Sequence, residues 1–182
     1  MCSLFAVVAG CGDDSAVIPP DACVSELCLG NVQTPATGPN AIESWLAAGF
    51  YKSWSCEAAV HAGRAPTPHG FNRVCSNTVL SQSIAGNADW PVGAAAVKEL
   101  FTSATATTPV GYAVYVKQAS DSAGGDNWYW YERTPEGVVA DSSGRGAAKT
   151  ACVSCHIAAG TDAAHTPSPG GRDLVYTPVP PQ

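Results

Sequence analysis

The chain reads as an α+β domain: a mainly antiparallel β-sheet with a few short helices, one of them near the carboxyl end. Three observations carry this reading. Gly111-Tyr112-Ala113-Val114-Tyr115-Val116-Lys117 and Trp128-Tyr129-Trp130-Tyr131-Glu132 are β-branched and aromatic, the composition that suits a pleated, half-buried surface. Gly124-Gly125 lies between them, turn chemistry that folds the two runs back on each other as a hairpin. The helix-forming segments are all short and no repeat is present, which argues against an all-helical build.

Taken in order, the first eleven residues resemble a bacterial lipoprotein signal. Leu4-Phe5-Ala6-Val7-Val8-Ala9-Gly10 is a short apolar run ending in small residues, and Cys11 would become the lipidated first residue. Residues 12–39 are rich in Pro, Gly, Asn, Thr and Ala and read as a flexible tether. The domain proper is expected over 40–182. Asn40 is placed to cap a helix over Ile42-Glu43-Ser44-Trp45-Leu46, with Gly49 ending it. Tyr51, Trp54 and Cys56 follow at a loosely extended spacing. His61 to Pro68 reads as a loop, punctuated by Gly63, Pro66 and Pro68.

His69 through Asn77 is a candidate strand, and Val79-Leu80 opens a short helix that stops at Gly86. A turn at Pro91-Val92-Gly93 introduces a strand over Ala95-Ala96-Val97-Lys98-Glu99-Leu100-Phe101. In the aromatic strand, period-two alternation puts Trp128 and Trp130 on one face and Tyr129 and Tyr131 on the other. Val138-Val139 adds an edge strand. A last short helix is expected from about Thr150 to Ala159.

With 15 acidic against 9 basic side chains the net charge is −6, which argues against nucleic acid as a partner. No apolar run is long enough to cross a membrane.

The chemistry concentrates in Cys152-Val153-Ser154-Cys155-His156. Two cysteines separated by two residues and followed at once by histidine form the attachment signature of a c-type haem. On one helical turn both thiols can add to the vinyl groups of one porphyrin, and the adjacent imidazole then reaches the iron. A zinc site would need further Cys or His ligands nearby, and only His165 lies downstream. A thioredoxin-like pair would need a long helix after it, whereas Pro167 and Pro169 soon intervene. One covalent haem c is therefore the expected cofactor, with His156 as axial ligand.

The other cysteines then sort themselves. Of eight, Cys2 would leave with the signal and Cys11 would carry lipid. Cys23, Cys28, Cys56 and Cys75 remain, an even set for an oxidising compartment. Three pairings are open; Cys23–Cys28 and Cys56–Cys75 are preferred because each closes a short loop. The expected location is the periplasm or cell envelope, at a membrane surface through the lipid.

The sixth iron position decides function. The one methionine is Met1, so His/Met ligation is not expected in the mature domain. His61, His69, His165 and Lys98 are the remaining nitrogen candidates, and an open or water-occupied position is the better expectation. Lys98 falls mid-strand, where an ammonium is costly unless paired or modified; the plain alternative is an edge-strand lysine paired with Glu99 or a cross-strand acid.

Several of these segments together resemble the cytochrome P-460 and cytochrome c′-beta family over roughly Trp45 to Pro178. Trp90-Pro91-Val92-Gly93 leading into Val97-Lys98-Glu99 is similar to that family's lysine-bearing strand. The two aromatic strands, the late Cys152–His156 motif and the closing Arg172-Asp173-Leu174-Val175-Tyr176-Thr177 match in kind and order. The disulfide cysteines and the lipoprotein-like leader depart from the family pattern.

The resemblance implies a five-coordinate c-haem on an antiparallel sheet, a homodimer, and a small nitrogen-oxide ligand or substrate with a separate redox partner. It also implies two branches. In the hydroxylamine-oxidising branch a lysine is cross-linked to the haem, and Lys98 holds the matching position. In the other branch the haem lacks that bond and binds nitric oxide. A distal carboxylate belongs to the enzyme branch, for which Glu99, Glu132 and Asp141 are the candidates here.

Overall fold

The computed structural model describes residues 34–63, 67–86, 89–159 and 172–182. Helix α1, Pro39–Ala48, is followed by strands β1 (Ser55–Cys56), β2 (His61–Ala62) and β3 (Phe71–Ser76). Helix α2 (Thr78–Gln82) leads to β4 (Ala95–Phe101), β5 (Gly111–Lys117), β6 (Trp128–Thr134) and β7 (Gly137–Ser143). A π turn over Lys149–Val153 runs into the one-turn helix α3, Ser154–His156.

The seven strands form one antiparallel sheet in the order β1-β3-β4-β5-β6-β7, with β2 also pairing on β3. The long strands are those expected from sequence, and β4 and β5 have the expected limits. The expected hairpin pairs β5 with β6 from Lys117 opposite Trp128 to Tyr112 opposite Arg133. The Val138-Val139 segment lies in edge strand β7.

Alternation divides the core into two. On one face Val74, Ala96, Trp128, Trp130 and Ala140 pack with Trp90, Cys152, Val153, Leu174 and Val175. On the other, Cys75, Val97, Val114, Val116, Tyr129 and Tyr131 pack under α1 and under Tyr51 and Trp54. A ten-residue helix is marginal alone. Ile42, Trp45 and Leu46 hold α1 in place, being 0%, 5% and 2% exposed, and each contributes about 1.5–3 kcal/mol of burial. Glu43 adds a polar clasp, accepting from Arg133 Nε at 2.6 Å and from the Tyr131 hydroxyl.

Four local expectations are corrected. Helix α1 is capped at Gly38 and not at Asn40; Pro39 takes the first helical position, where its fixed φ is an advantage and its missing N–H costs nothing. His61–Ala62, expected within a loop, pairs with Asn72 and Phe71. The regular helix expected over Thr150–Ala159 is a π turn followed by one α turn. Lys98 lies on β4, an interior strand, and not at an edge.

Cys56 and Cys75 are register partners on β1 and β3 and are joined by a disulfide, with 3.9 Å between their Cα atoms. The second expected bridge, Cys23–Cys28, lies outside the described residues, as do Cys11 and His165. No helix among the described residues is long and apolar enough to cross a membrane.

Candidate functional site

The C-x-x-C-H segment lies against the first sheet face, and its seat is built by the β5–β6 hairpin. Gly125 sits at φ +105°, and a Cβ there would meet both Val153 methyl carbons at 3.0 Å. Glycine at this point lets the hairpin loop close onto the motif. Asp126, next in the loop, holds Arg145 through two bonds of 2.8 Å, fixing the loop relative to the segment that leads into the π turn. Such one-turn π insertions concentrate at functional sites.

Cys152 points inward, 9% exposed, and Cys155 outward. Both carry free thiols. Burial pushes the Cys152 thiol up to about 12, with the nearby acidic groups Glu132 and Cys155 acting in the same direction. A redox-active or zinc-binding cysteine needs the opposite shift, toward thiolate. Among the described residues no group of three or more His, Cys, Asp or Glu side chains is arranged to hold a metal ion. The pair presents two thiols on one turn, placed for addition across a double bond.

His156 stands in an aromatic wall. Its ring centroid is 5.2 Å from Trp130, 5.3 Å from Tyr176 and 6.0 Å from Tyr115. Tyr115 and Trp128 continue the wall at 5.5 Å from each other. The decisive contact is His156 Nδ1 to the Leu174 carbonyl, 2.6 Å. A carbonyl only accepts, so Nδ1 carries a proton, and in the neutral imidazole the lone pair then sits on Nε2. This is how metal-ligating histidines are oriented and made more basic.

The Leu174 carbonyl comes from a tight turn. Arg172 and Val175 bond each other's backbones at 2.9 and 3.0 Å, and the two residues between them, Asp173 and Leu174, have φ +44° and +69°. Two-residue turns of this kind need positive φ at both positions, usually supplied by Asn-Gly. Aspartate tolerates that region, but a leucine there costs about 1–2 kcal/mol. Surrounding contacts hold it. Trp90 donates its indole N–H to the Arg172 carbonyl at 2.9 Å and its backbone N–H to Asp173 Oδ2 at 3.1 Å. The Arg172 guanidinium lies 3.6 Å from the Trp90 ring centre. Lys117, on β5, reaches Asp173 Oδ2 at 3.2 Å and Ser122 Oγ at 2.8 Å.

The other sequence candidates divide by face. One row across the sheet runs Val74, Lys98, Ala113, Glu132, Ala140. Lys98 and Glu132 therefore share the motif's face, two strands or about 10 Å apart. His69 joins them: its Nδ1 is 3.2 Å from Glu132 Oε1, and both side chains are about nine-tenths buried. The separation is that of an ion pair, but the alignment is not that of a hydrogen bond, and Nδ1 is left unsatisfied.

Glu99 and Asp141 lie on the far face. Glu99 accepts from the Tyr51 hydroxyl at 2.7 Å and from Arg73 at 2.6 and 2.8 Å. Asp141 accepts from the Tyr129 hydroxyl at 2.6 Å. His61 is engaged at an edge by Glu57 at 2.9 Å and the Ala62 carbonyl at 2.7 Å.

Sequence reasoning missed Lys117, Trp90, Asp173 and Leu174 as neighbours of the site. The closing segment that contains Asp173 and Leu174 was visible, but nothing local in it announces a left-handed pair. No protein-family model matches the chain, and no curated protein matches it.

Proposed function

We propose that this chain is an exported mono-haem c-type cytochrome that oxidises hydroxylamine, with one haem c bonded through Cys152 and Cys155 and its iron held on one side by His156. The observation that carries the reading is the His156–Leu174 bond: an imidazole on the same turn as two free thiols, with its Nδ1 proton given to a backbone carbonyl, the arrangement that orients a metal-ligating histidine. The residues fit the group in three further ways. The thiols are unpaired, the wall beside the imidazole is aromatic, and the segment is fixed by hairpin and C-terminal turn.

Bound there, haem would supply an iron able to take electrons from a small nitrogen-oxide substrate and pass them to an external one-electron acceptor protein. The chain's own part is to hold and orient the group and to move protons. Glu132 is the sequence candidate that shares the motif's face, and it is the carboxylate we assign as proton acceptor. Lys98, on the same face, is the residue we assign to the haem edge. The cytochrome P-460 and c′-beta resemblance, the homodimer it implies and lipid anchorage at Cys11 belong to this proposal. The Cys56–Cys75 disulfide supports an oxidising compartment.

The alternative is a nitric-oxide-binding or electron-transfer protein without catalysis. The largely buried aromatic cluster of Tyr115, Trp128 and Trp130 favours it, because apolar surroundings suit a diatomic ligand.

The test is expression with haem-ligation machinery, followed by acid denaturation. The reading requires the pigment to stay with the polypeptide and to be lost in Cys152→Ser/Cys155→Ser; pigment that washes out overturns it. A ferric spectrum that changes on adding hydroxylamine supports an open iron, and an unchanged low-spin spectrum removes it. A Lys98→Ala change in the ferrous Soret band separates the cross-linked branch from the other.

A further inference from the structure

We infer that Asp173, Lys117 and Trp90 are positioning residues that lock the His156 imidazole in its Nδ1–H form by forcing the Asp173–Leu174 turn into a left-handed shape. The inference rests on the reading of His156 as an iron ligand, but its structural core concerns this chain alone.

Four observations converge on it. The turn has consecutive positive φ values at two non-glycine residues, and conformations of this kind persist only where the surroundings over-determine them, most often at functional sites. The surroundings do so here: Lys117 and Asp173 form an ion pair whose side chains are 0% and 9% exposed. Lys117 comes from the middle of the sheet, and its ammonium also lies 5.0 Å from the Trp128 ring centre, so the turn is referenced to the wall that His156 packs on. Trp90 grips both sides of the turn, at the Arg172 carbonyl and the Asp173 carboxylate. The carbonyl so presented is the one His156 donates to.

A buried lysine with one carboxylate and one hydroxyl is an expensive way to hold a terminal segment, since apolar residues would do it as well or better. What an ion pair adds is a defined position for the carboxylate, and so for the peptide after it. Relaxing the turn would turn the Leu174 carbonyl away and free the imidazole to exchange tautomers. Nε2 would then carry the proton part of the time, and a protonated Nε2 cannot bind a metal.

The test reads the imidazole directly. In ¹⁵N-labelled full-length chain, long-range ¹H–¹⁵N correlation at about pH 8, above the usual imidazole range, reports the His156 tautomer ratio. Wild type should show Nδ1–H alone. Lys117→Met/Asp173→Gly removes the pair without orphaning a charge and keeps a residue suited to positive φ; the Nδ1–H to Nε2–H ratio should fall at least tenfold. Leu174→Gly, which keeps the clamp, should leave the ratio within twofold of wild type.

A folded double variant with the wild-type ratio overturns the inference. Should that variant not fold, Trp90→Phe decides, because it removes the indole N–H bond to the Arg172 carbonyl while keeping an aromatic ring under the Arg172 guanidinium; a ratio unchanged in Trp90→Phe then overturns it. In haem-loaded protein Lys117→Met/Asp173→Gly and Trp90→Phe should lower the ferrous iron–histidine stretching frequency, and Leu174→Gly should leave it unchanged. Failure to attach haem would sink the functional reading and leave the tautomer result standing.

Discussion

His69 Nδ1 and Glu132 Oε1 lie 3.2 Å apart on the sheet face that carries Cys152. Of three carboxylates open to a distal role from sequence, Glu132 is the one on that face. Glu132→Gln in the haem-loaded protein should lower hydroxylamine turnover by about 10²–10⁴-fold, the usual contribution of a positioned base, with the haem still attached. Asp141→Asn, on the opposite face beside Tyr129, should turn over like wild type. Steady-state rates of both variants check this; equal rates would remove Glu132 from the chemistry.

The Glu99 carboxylate is 1% exposed and depends on Arg73 and Tyr51 for all the partners named above. Arg73→Met should destabilise the domain by about 3 kcal/mol, because it leaves a buried charge without its counter-ion. Tyr51→Phe should cost about 1–2 kcal/mol. The double change Arg73→Met/Glu99→Met should cost less than the two single changes added together. Urea unfolding midpoints of the set give the comparison.

Burial alone would raise the Glu43 carboxyl, but the bonds from Arg133 and Tyr131 outweigh it and hold it below the ordinary value. A group depressed in the folded state stabilises above its unfolded pKa, and that contribution is lost as pH falls through the folded one. The docking of α1 should therefore weaken below about pH 4. Glu43→Gln should remove this step from a plot of stability against pH while lowering stability at neutral pH.

The Cys56–Cys75 bridge spans a sequence separation of 19. By loop-closure entropy it should stabilise the domain by about 3 kcal/mol. Cys56→Ser/Cys75→Ser should lose that amount in urea unfolding, and a reducing agent should reproduce the loss in wild type.

The sheet was legible because its strands are long enough for alternation to speak. The pattern that puts Trp128 with Trp130 also puts Glu132 with them, two residues further on. The same rule separates Lys98 from Glu99, so the division of the acids by face was latent in the sequence. β2 was hidden because two residues carry no periodicity, and Pro and Gly around them read as loop. The π turn was hidden because an inserted residue alters hydrogen bonding without altering composition. The left-handed pair at Asp173 and Leu174 and the bonds from Lys117 and Trp90 are long-range: they follow from where β5 and the segment before β4 lie in space, which no local pattern encodes.

Cys152 sits under side chains drawn from both halves of the chain, among them Val74, Trp90 and Leu174. A bulky catalyst cannot grip a sulfur so covered. Under the function proposed here, biogenesis therefore has a sequence in time: the porphyrin is joined first, and the carboxyl-terminal residues swing in afterwards like a door shut behind it. Truncating the chain ahead of Arg172 should leave that door open, with pigment attached and its histidine loosely held.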